Sequence, residues 1–226
     1  MQKTIPPVAN KIPYEMTEHG DTRIDNYYWM RLTDEQKSAN KYDKQTQEVV
    51  DYIDAENSYT QSSLSHTKKL QNDLFEEIIG RIEKDDESVP YFDNGYYYYS
   101  RYESGKEYAI HCRKKDSLSG PEEIILDENI LADGFDYFAV GGRRVSPDNK
   151  WLAYGVDTLS RRLYEIHFKN LETGEVLETT IPNSSGSVAW ANDNKTVFYT
   201  SKNEITLLGE KIWRHKMGSN SSNDEL

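Results

Sequence analysis

The sequence has almost no cysteine, since Cys112 is the single one among 226 residues. One cysteine cannot form an intramolecular disulfide, and a lone thiol is typical of a reducing compartment. Long apolar runs are also missing, because no stretch approaches the roughly 18 residues that a membrane-spanning helix needs. The N-terminal residues lack the apolar core of a signal peptide. We therefore expect a cytoplasmic protein that does not span a membrane.

Positive charge is scarce. The chain has 27 Lys and Arg against 39 Asp and Glu, which leaves a formal net charge of −12. Proteins that bind nucleic acid or anionic membranes rely on basic surfaces, so we expect neither partner. The charge is typical of a soluble, self-repelling protein, and the alternative is that it attracts cationic ligands.

Hydrophobic residues are sparse at 36%, and the mean hydropathy is −0.86. Such values approach those of disordered chains, but 17 Tyr, 4 Trp and 6 Phe argue against disorder. We expect an ordered protein whose core contains many aromatic rings.

The usual motifs of active-site chemistry are missing as well. No Gly-x-Ser-x-Gly sequence marks a hydrolase nucleophile, and no glycine-rich loop marks a phosphate site. The five histidines and Cys112 have no metal-ligand spacing. We expect Cys112 to be a small side chain packed in a strand. The sequence therefore predicts no catalytic, cofactor-binding or metal-binding residue in this chain.

The chain changes character near residue 87. Three prolines in residues 1–32 indicate an extended arm, which ends in an aromatic cluster at Tyr27, Tyr28 and Trp29. Residues 33–84 carry apolar residues at helical spacing. Thr33 and Gln36 have the spacing of a capping box. Short strands rich in Tyr, Val and Ile follow, so we divide the chain into domains at 1–86 and 87–226.

An internal repeat runs through the second domain. The segment Asp148–Tyr154 matches Asp193–Tyr199 at an offset of 45 residues, and Asp93–Tyr99 is a looser copy. A period near 45 with several strands per unit is typical of propeller blades, which bury their faces against neighbouring blades. The alternative is a hairpin-rich sandwich in which such turns recur by chance.

The repeat predicts two blades, at about 89–133 and 134–183, and part of a third. The last recognisable strand is Lys211–Met217, with no fourth strand after it, so we expect the chain to end inside its fold. His111, His167 and His215 follow the successive turns and are predicted to occupy equivalent packing positions.

Two arginine pairs stand out against the acidic background. They are Arg143-Arg144 and Arg161-Arg162. One interpretation is that both lie in solvated turns. The alternative is that they pair with carboxylates across a domain interface.

Several stretches carry a family resemblance. They are Pro6–Ala9, Ile12–Pro13, His19–Arg31, Ala55–Asn57, Val145–Asp157, Ser160–Arg162 and Phe168–Leu177. Together they resemble the N-terminal portion of the oligopeptidase B branch of the prolyl oligopeptidase family of serine peptidases. The resemblance extends over essentially the whole chain.

The resemblance implies a mainly β fold, with about two and a half blades of a seven-bladed propeller. It implies that the arm and helices pack on a C-terminal α/β-hydrolase domain, which is absent from this chain and carries the catalytic triad. The family's propeller gates access, and the enzyme cleaves short peptides after Lys or Arg. Arg161 and Arg162 match a family stretch, and one of them is expected to contact the hydrolase domain.

The expected partners are therefore the hydrolase domain and small basic peptides. This chain alone is predicted to be inactive. The alternative is a non-enzymatic, propeller-type protein-interaction module.

Overall fold

The computed structural model describes residues 5–226. The chain forms two compact units, of which the first ends at Ile82 and the second spans Glu83–Leu226. Helices dominate the first unit and strands the second. Within the described range, no helix is both long enough and apolar enough to cross a membrane.

The N-terminal arm folds back on itself as a β-hairpin. Strand β1 (Tyr14–Glu18) pairs antiparallel with β2 (Asp21–Asp25). His19 and Gly20 form the two-residue turn with φ angles of 54° and 82°. Positive φ at both turn residues matches the twist of the flanking strands, which explains why glycine stands at the second position.

The aromatic cluster that ends the arm packs within the first unit. The ring of Tyr28 stacks on that of Tyr14, with centroids 3.9 Å apart. Trp29 meets Tyr52 edge to face at 6.5 Å, and its indole Nε1 donates to the carbonyl of Asn10 at 2.9 Å. These contacts join the arm to the helical segment.

Three α-helices and two 3-10 turns follow the hairpin. They are a 3-10 turn at Tyr28–Met30, α1 (Asp34–Lys37), α2 (Lys44–Leu64), a second 3-10 turn at Ser65–Thr67, and α3 (Lys68–Ile79). The predicted capping box is confirmed, because Thr33 Oγ1 accepts from the Gln36 amide while the Gln36 side chain accepts from the Thr33 amide. Helix α3 ends at Ile79, earlier than the helical pattern predicts, and Gly80 follows it.

Helix α3 carries a row of solvent-exposed apolar side chains. Leu70, Phe75 and Ile78 are 58%, 60% and 59% exposed, and Leu74 is 47% exposed. Leu70, Leu74 and Ile78 are spaced four residues apart, and Phe75 lies three residues before Ile78, so all four lie on one side of the helix. A row of this kind marks an interaction surface rather than an ordinary solvated helix face.

The first blade is a complete four-stranded antiparallel sheet in the second unit. Its strands, in spatial order, are β3 (Tyr91–Asp93), β4 (Tyr96–Arg101), β5 (Ile110–Lys115) and β6 (Glu122–Asp127). A short helix, α4 (Glu128–Leu131), leads from β6 to the next blade. The cross-strand register is continuous from β3 to β5 and shifts once between β5 and β6.

The next six strands form one continuous antiparallel sheet. In chain order they are β7 (Ala139–Val145), β8 (Trp151–Asp157), β9 (Tyr164–Asn170), β10 (Ile181–Trp190), β11 (Thr196–Lys202) and β12 (Gly209–Lys216). Strand β10 belongs to two blades. Its first half pairs with β9 and its second half with β11, on either side of an irregularity between Ser184 and Val188. The second blade is thus β7–β9 plus the start of β10, and the third begins with the rest of β10.

The repeated turns join successive blades through their asparagines. Asn94, Asn149 and Asn194 occupy equivalent turn positions with φ of 44°, 63° and 60°. Asn94 Nδ2 donates to Pro147 O at 2.7 Å, and Asn149 Nδ2 donates to Asn94 O at 3.0 Å. Asn194 Oδ1 accepts from the Asp148 amide at 2.9 Å. Each turn of the repeat is therefore hydrogen-bonded to the turn of its neighbour.

Apolar packing continues between blades. The main buried cluster comprises Ala153, Ile166, Phe168, Ile181, Val188, Val197 and Tyr199, which come from the second and third blades. A second cluster joins the first and second blades and comprises Tyr98, Ile125, Leu126, Leu152 and Tyr154. Repeat proteins gain their stability from such nearest-neighbour interfaces. The partial propeller predicted from the repeat is confirmed.

The third blade has the beginning of a fourth element. The Arg214 amide donates to Glu225 O at 2.7 Å, and the Glu225 amide returns a bond to Arg214 O at 3.1 Å. This antiparallel bridge lies on the outer side of β12. The expectation that no fourth strand follows Lys211–Met217 is confirmed within the described residues, because this pairing is a single isolated bridge and not a strand.

The predicted equivalence of His111, His167 and His215 is wrong. His111 pairs with Ser100, the fifth residue of β4. His167 pairs with Tyr154, the fourth residue of β8, and His215 pairs with Val197, the second residue of β11. The intervening hairpin loops differ in length, and a register irregularity lies between Ser201 and Lys202. Register follows turn geometry, so similar spacing in the sequence does not give the same ladder position.

Glycines allow the second blade to approach β10 closely. A Cβ on Gly155 would lie 2.5 Å from the Gly186 backbone, and one on Gly142 would lie 2.4 Å from the Ser187 side chain. Gly141 and Gly142 lie at a β-bulge in β7. The contact excludes any larger residue at Gly155 unless the backbone shifts.

We expect Gly155→Ala to destabilise the second unit by about 1–3 kcal/mol, because the new methyl group meets backbone rather than a movable side chain. Urea unfolding followed by tryptophan fluorescence measures this. Gly209→Ala is the matched control, since its Cβ meets only the Thr200 methyl group at 3.0 Å. Equal unfolding midpoints for Gly155→Ala and the unchanged protein would contradict the glycine contact.

Candidate functional site

The loop between β8 and β9 is organised by a buried carboxylate. Asp157 is 1% exposed, and it ends β8. Its Oδ1 accepts from the Leu159 amide at 2.8 Å, and its Oδ2 accepts from the Arg162 amide at 2.6 Å. Backbone bonds to an ionised acceptor are about twice as strong as neutral ones. The side chain of Asp157 thus fixes the path of residues 158–162.

This loop presents both arginines that the sequence singled out as a domain contact. Arg161 and Arg162 are exposed, and within residues 5–226 no carboxylate pairs with either guanidinium. Ser160 and Arg162 have φ of 58° and 55°, an uncommon conformation for residues other than glycine. Lys202 Nζ also donates to Arg162 O at 2.8 Å. The loop therefore displays two unpaired positive charges on a constrained backbone.

The second arginine pair has a different environment. Arg143 and Arg144 lie in β7, so the interpretation that they occupy a solvated turn was wrong. Arg143 Nη1 lies 3.5 Å from Glu128 Oε1, across the boundary between the first two blades. Arg144 Nη1 donates to Arg143 O at 2.9 Å, and its guanidinium is exposed.

Glu128 also belongs to a buried polar chain in the first blade. Its Oε1 lies 2.6 Å from His111 Nε2, and Ser100 Oγ lies 2.7 Å from His111 Nδ1. Because a carboxylate can only accept, Nε2 carries the ring proton, and in the neutral imidazole the Ser100 hydroxyl donates to Nδ1. The side chain of His111 is almost fully buried. The buried ring is thus satisfied at both nitrogens.

A serine, histidine and carboxylate in series has the composition of a charge relay. Ser100, however, lies inside β4, and both of its backbone groups are bonded to Ser88. It lacks the strand-to-helix elbow that exposes the nucleophile in hydrolases. We interpret the chain Ser100–His111–Glu128–Arg143 as a polar link between blades rather than as a catalytic group.

A cavity of about 440 Å³ lies beside this link. Its lining includes Tyr91, Tyr98, Ser100, His111, Arg143 and Arg144. Its volume falls within the range of small-molecule sites, about 300–1,000 Å³. The cavity therefore offers guanidinium donors, hydroxyl groups and aromatic rings in one place.

Cys112 is the remaining candidate nucleophile in the sequence. It is 1% exposed, and burial raises the pKa of its thiol to about 11. Thiolate is the nucleophilic form, so a thiol with so high a pKa is inert near neutral pH. The position of Cys112 among Tyr99 and Ile110 in a small buried cluster agrees with a packing role.

No group of three or more His, Cys, Asp or Glu side chains within residues 5–226 is placed to hold a metal ion. The sequence reasoning missed two features of the site. The first is Asp157, which an aspartate directly after a strand could have signalled as a turn-forming residue. The second is the polar link, which no local pattern reveals because it depends on the positions of β4, β5 and β7.

Comparison with known proteins identifies the fold family. The model of the prolyl oligopeptidase N-terminal beta-propeller domain matches residues 6–226. The chain belongs to the prolyl oligopeptidase family. The resemblance seen in the sequence is thus confirmed.

Curated members of the prolyl oligopeptidase family match nearly the whole chain. A dipeptidyl aminopeptidase BI from Pseudoxanthomonas mexicana is 40% identical over 99% of this chain and 32% of its own length. Protease 2 from Moraxella lacunata is 32% identical over 97% of this chain and 31% of its own length. The chain thus spans about a third of these relatives.

Solved structures of the prolyl oligopeptidase family agree with this family assignment. Oligopeptidase B from Leishmania major superposes with a TM-score of 0.82 at 30% identity, covering 98% of this chain and 32% of that one. Oligopeptidase B from Trypanosoma brucei gives 0.81 at 28% identity, covering 98% and 32%. The two compact units of this chain correspond to the N-terminal third of these peptidases.

We expect Asp157→Ala to free the loop that carries Arg161 and Arg162, because two backbone amides lose their acceptor. Hydrogen exchange of the Leu159 and Arg162 amides should accelerate at least tenfold. Stability should fall by about 1–3 kcal/mol. Asp136→Ala is the control, since Asp136 is an exposed aspartate without such bonds. Unchanged exchange in Asp157→Ala would show that the carboxylate does not hold the loop.

Proposed function

We propose that this chain is the N-terminal, propeller-bearing part of a serine peptidase that cleaves short peptides after Lys or Arg. The observation that carries the proposal is the superposition of nearly the whole chain on oligopeptidase B at a TM-score of 0.82. In the proposed enzyme a serine in a C-terminal hydrolase domain forms an acyl-enzyme. The propeller restricts entry to short peptides, and the net charge of −12 attracts basic ones.

In this proposal residues 1–86 form part of the peptidase domain, and residues 87–226 belong to the propeller. The exposed row on α3 supports a covered position for the first segment, since Leu70, Phe75 and Ile78 are each more than half exposed. Burying a side chain of this size is worth about 1.5–3 kcal/mol. A hydrolase domain packed on α3 would supply that burial.

Arg161 and Arg162 are the proposed contacts of the propeller with the hydrolase domain. Their support is geometric, because the Asp157 carboxylate constrains the loop and both guanidinium groups lack a carboxylate within the described part of the chain. Guanidinium groups form two-pronged bonds with carboxylates at interfaces. A single buried thiol at Cys112 also suits the cytoplasm, where we place the enzyme.

A second candidate activity is removal of dipeptides from a free N-terminus. The 40% identity to a dipeptidyl aminopeptidase favours it. The two activities differ in whether the substrate needs a free α-amino group. In the enzyme that contains this chain, an endopeptidase would hydrolyse both an N-benzoyl-arginine anilide and a free-amine dipeptide anilide. A dipeptidyl aminopeptidase would hydrolyse only the latter.

We expect the 226-residue chain alone to leave arginine anilides uncleaved, because no nucleophile elbow is encoded in it. The measurement is release of nitroaniline by the purified chain. Turnover that a serine-directed inhibitor abolishes would contradict this.

Sequencing beyond codon 226 separates the peptidase from the non-enzymatic interaction module. An in-frame Gly-x-Ser-x-Gly supports the peptidase, and a stop codon with a soluble, monomeric product supports the non-enzymatic interaction module.

We expect Phe75→Ser to weaken association of this chain with the separately expressed hydrolase portion at least tenfold. The side chain is 60% exposed, so its loss should leave the helix itself intact. Calorimetric titration measures the affinity, and Asn72→Ser on the same helix is the control. Equal affinity for Phe75→Ser and the unchanged chain would show that α3 does not face the hydrolase domain.

A further inference from the structure

The cavity lies between the first two blades, since its lining includes Tyr98 of β4 and Arg143 of β7. It lies next to the link but is wider than a packing defect, at about 440 Å³. Strand β7 ends the six-stranded sheet on one side, so its edge is not covered by another strand of that sheet. Arg143 and Arg144 extend from this strand and line the cavity.

The guanidinium of Arg143 has more N–H donors than its neighbours in the described part of the chain accept. A guanidinium has five N–H donors. The carboxylate paired with Arg143 is that of Glu128, at 3.5 Å, and the same Oε1 already accepts from His111 Nε2 at 2.6 Å. The side chain of Arg143 is 37% exposed and lines the cavity. It therefore retains donors for a second carboxylate.

The remaining walls suit a peptide rather than a small inorganic anion. Tyr91 is 62% exposed and stacks on Tyr98, with ring centroids 5.6 Å apart. Asp93 lines the same cavity and adds a negative charge. That carboxylate disfavours every purely anionic ligand, and a dianionic phosphate more than a monoanionic carboxylate. A monoanionic chain end that also carries a basic side chain would satisfy both charges.

We propose that this cavity binds the free C-terminal carboxylate of a short peptide, with Arg143 as the principal donor. The ligand is a peptide that ends in a basic residue, which is the product of cleavage after Lys or Arg. The proposal rests on the proposed function for this choice of ligand. The walls contribute contact with the peptide through Tyr91, and Asp93 receives the basic side chain.

The net charge of the protein makes the proposal sharply testable. A chain of net charge −12 attracts cations without any specific site, so non-specific binding favours the more positive ligand. A peptide amide is one charge more positive than the corresponding acid. Tighter binding of the acid therefore requires a local carboxylate receptor that outweighs the overall field.

The experiment compares two fluorescein-labelled tetrapeptides that end in arginine, one as the free acid and one as the amide. Fluorescence polarisation with the complete 226-residue chain at about 0.15 M salt screens long-range charge. We expect the acid to bind at least tenfold more tightly than the amide. Equal binding, or tighter binding of the amide, would overturn the proposal.

Variants identify the donor. Arg143→Gln should abolish the preference for the acid, and Arg143→Lys should keep part of it. Arg23→Gln is the matched control, because Arg23 is an exposed arginine in the N-terminal hairpin. If Arg143→Gln unfolds, Tyr91→Ala tests the same wall, since Tyr91 is largely exposed, and it should weaken binding of the acid severalfold. A preference that survives in a folded Arg143→Gln, or acid binding unchanged in Tyr91→Ala, would overturn the assignment.

Acetate distinguishes a peptide site from a general anion site. We expect acetate to displace the labelled acid only at concentrations at least a hundredfold above those of the unlabelled peptide. Displacement at similar concentrations would contradict a peptide ligand. The binding measurement needs no catalysis, so its failure is distinct from failure of the proposed peptidase function, which activity and the downstream sequence decide.

Discussion

Adjacent blades are held together by the asparagine side chains that also shape their tight turns. A single blade exposes two faces that it cannot bury alone, so each sheet depends on its neighbour. Asn94 and Asn149 exchange bonds between the first two blades, and Asn194 reaches back to Asp148 in the second. Asparagine thus forms each turn and also hydrogen-bonds it to the turn of the neighbouring blade.

The turns explain why so much of the architecture could be predicted from the sequence. An Asp-Asn turn before an aromatic strand is a local signal, and its recurrence gives the blade period directly. Strand β10 gave no such signal, because its division between two blades depends on both neighbours. The positions of His111, His167 and His215 in their strands could not be predicted for the same reason, because loop length and bulges decide the register.

The candidate site residues also differ in how far the sequence predicts them. The proposed contact residues Arg161 and Arg162 could be singled out by motif, but the Asp157 carboxylate that fixes their loop emerges only from the folded backbone. The polar link from Ser100 to Arg143 joins three strands and a helix, so no sequence window contains it. In this chain, local sequence patterns predict the blades, whereas the cavity follows from how two blades meet.

If neighbouring blades stabilise one another through the turn asparagines, the effects of substituting those asparagines are energetically coupled. A double-mutant cycle of Asn94→Ala and Asn149→Ala tests this coupling most directly, because the cost of alanine at positive φ cancels in the coupling term. Urea unfolding should give a coupling free energy of at least about 0.5 kcal/mol. Additive effects within about 0.3 kcal/mol would show that the two turns are energetically independent and would contradict the claim.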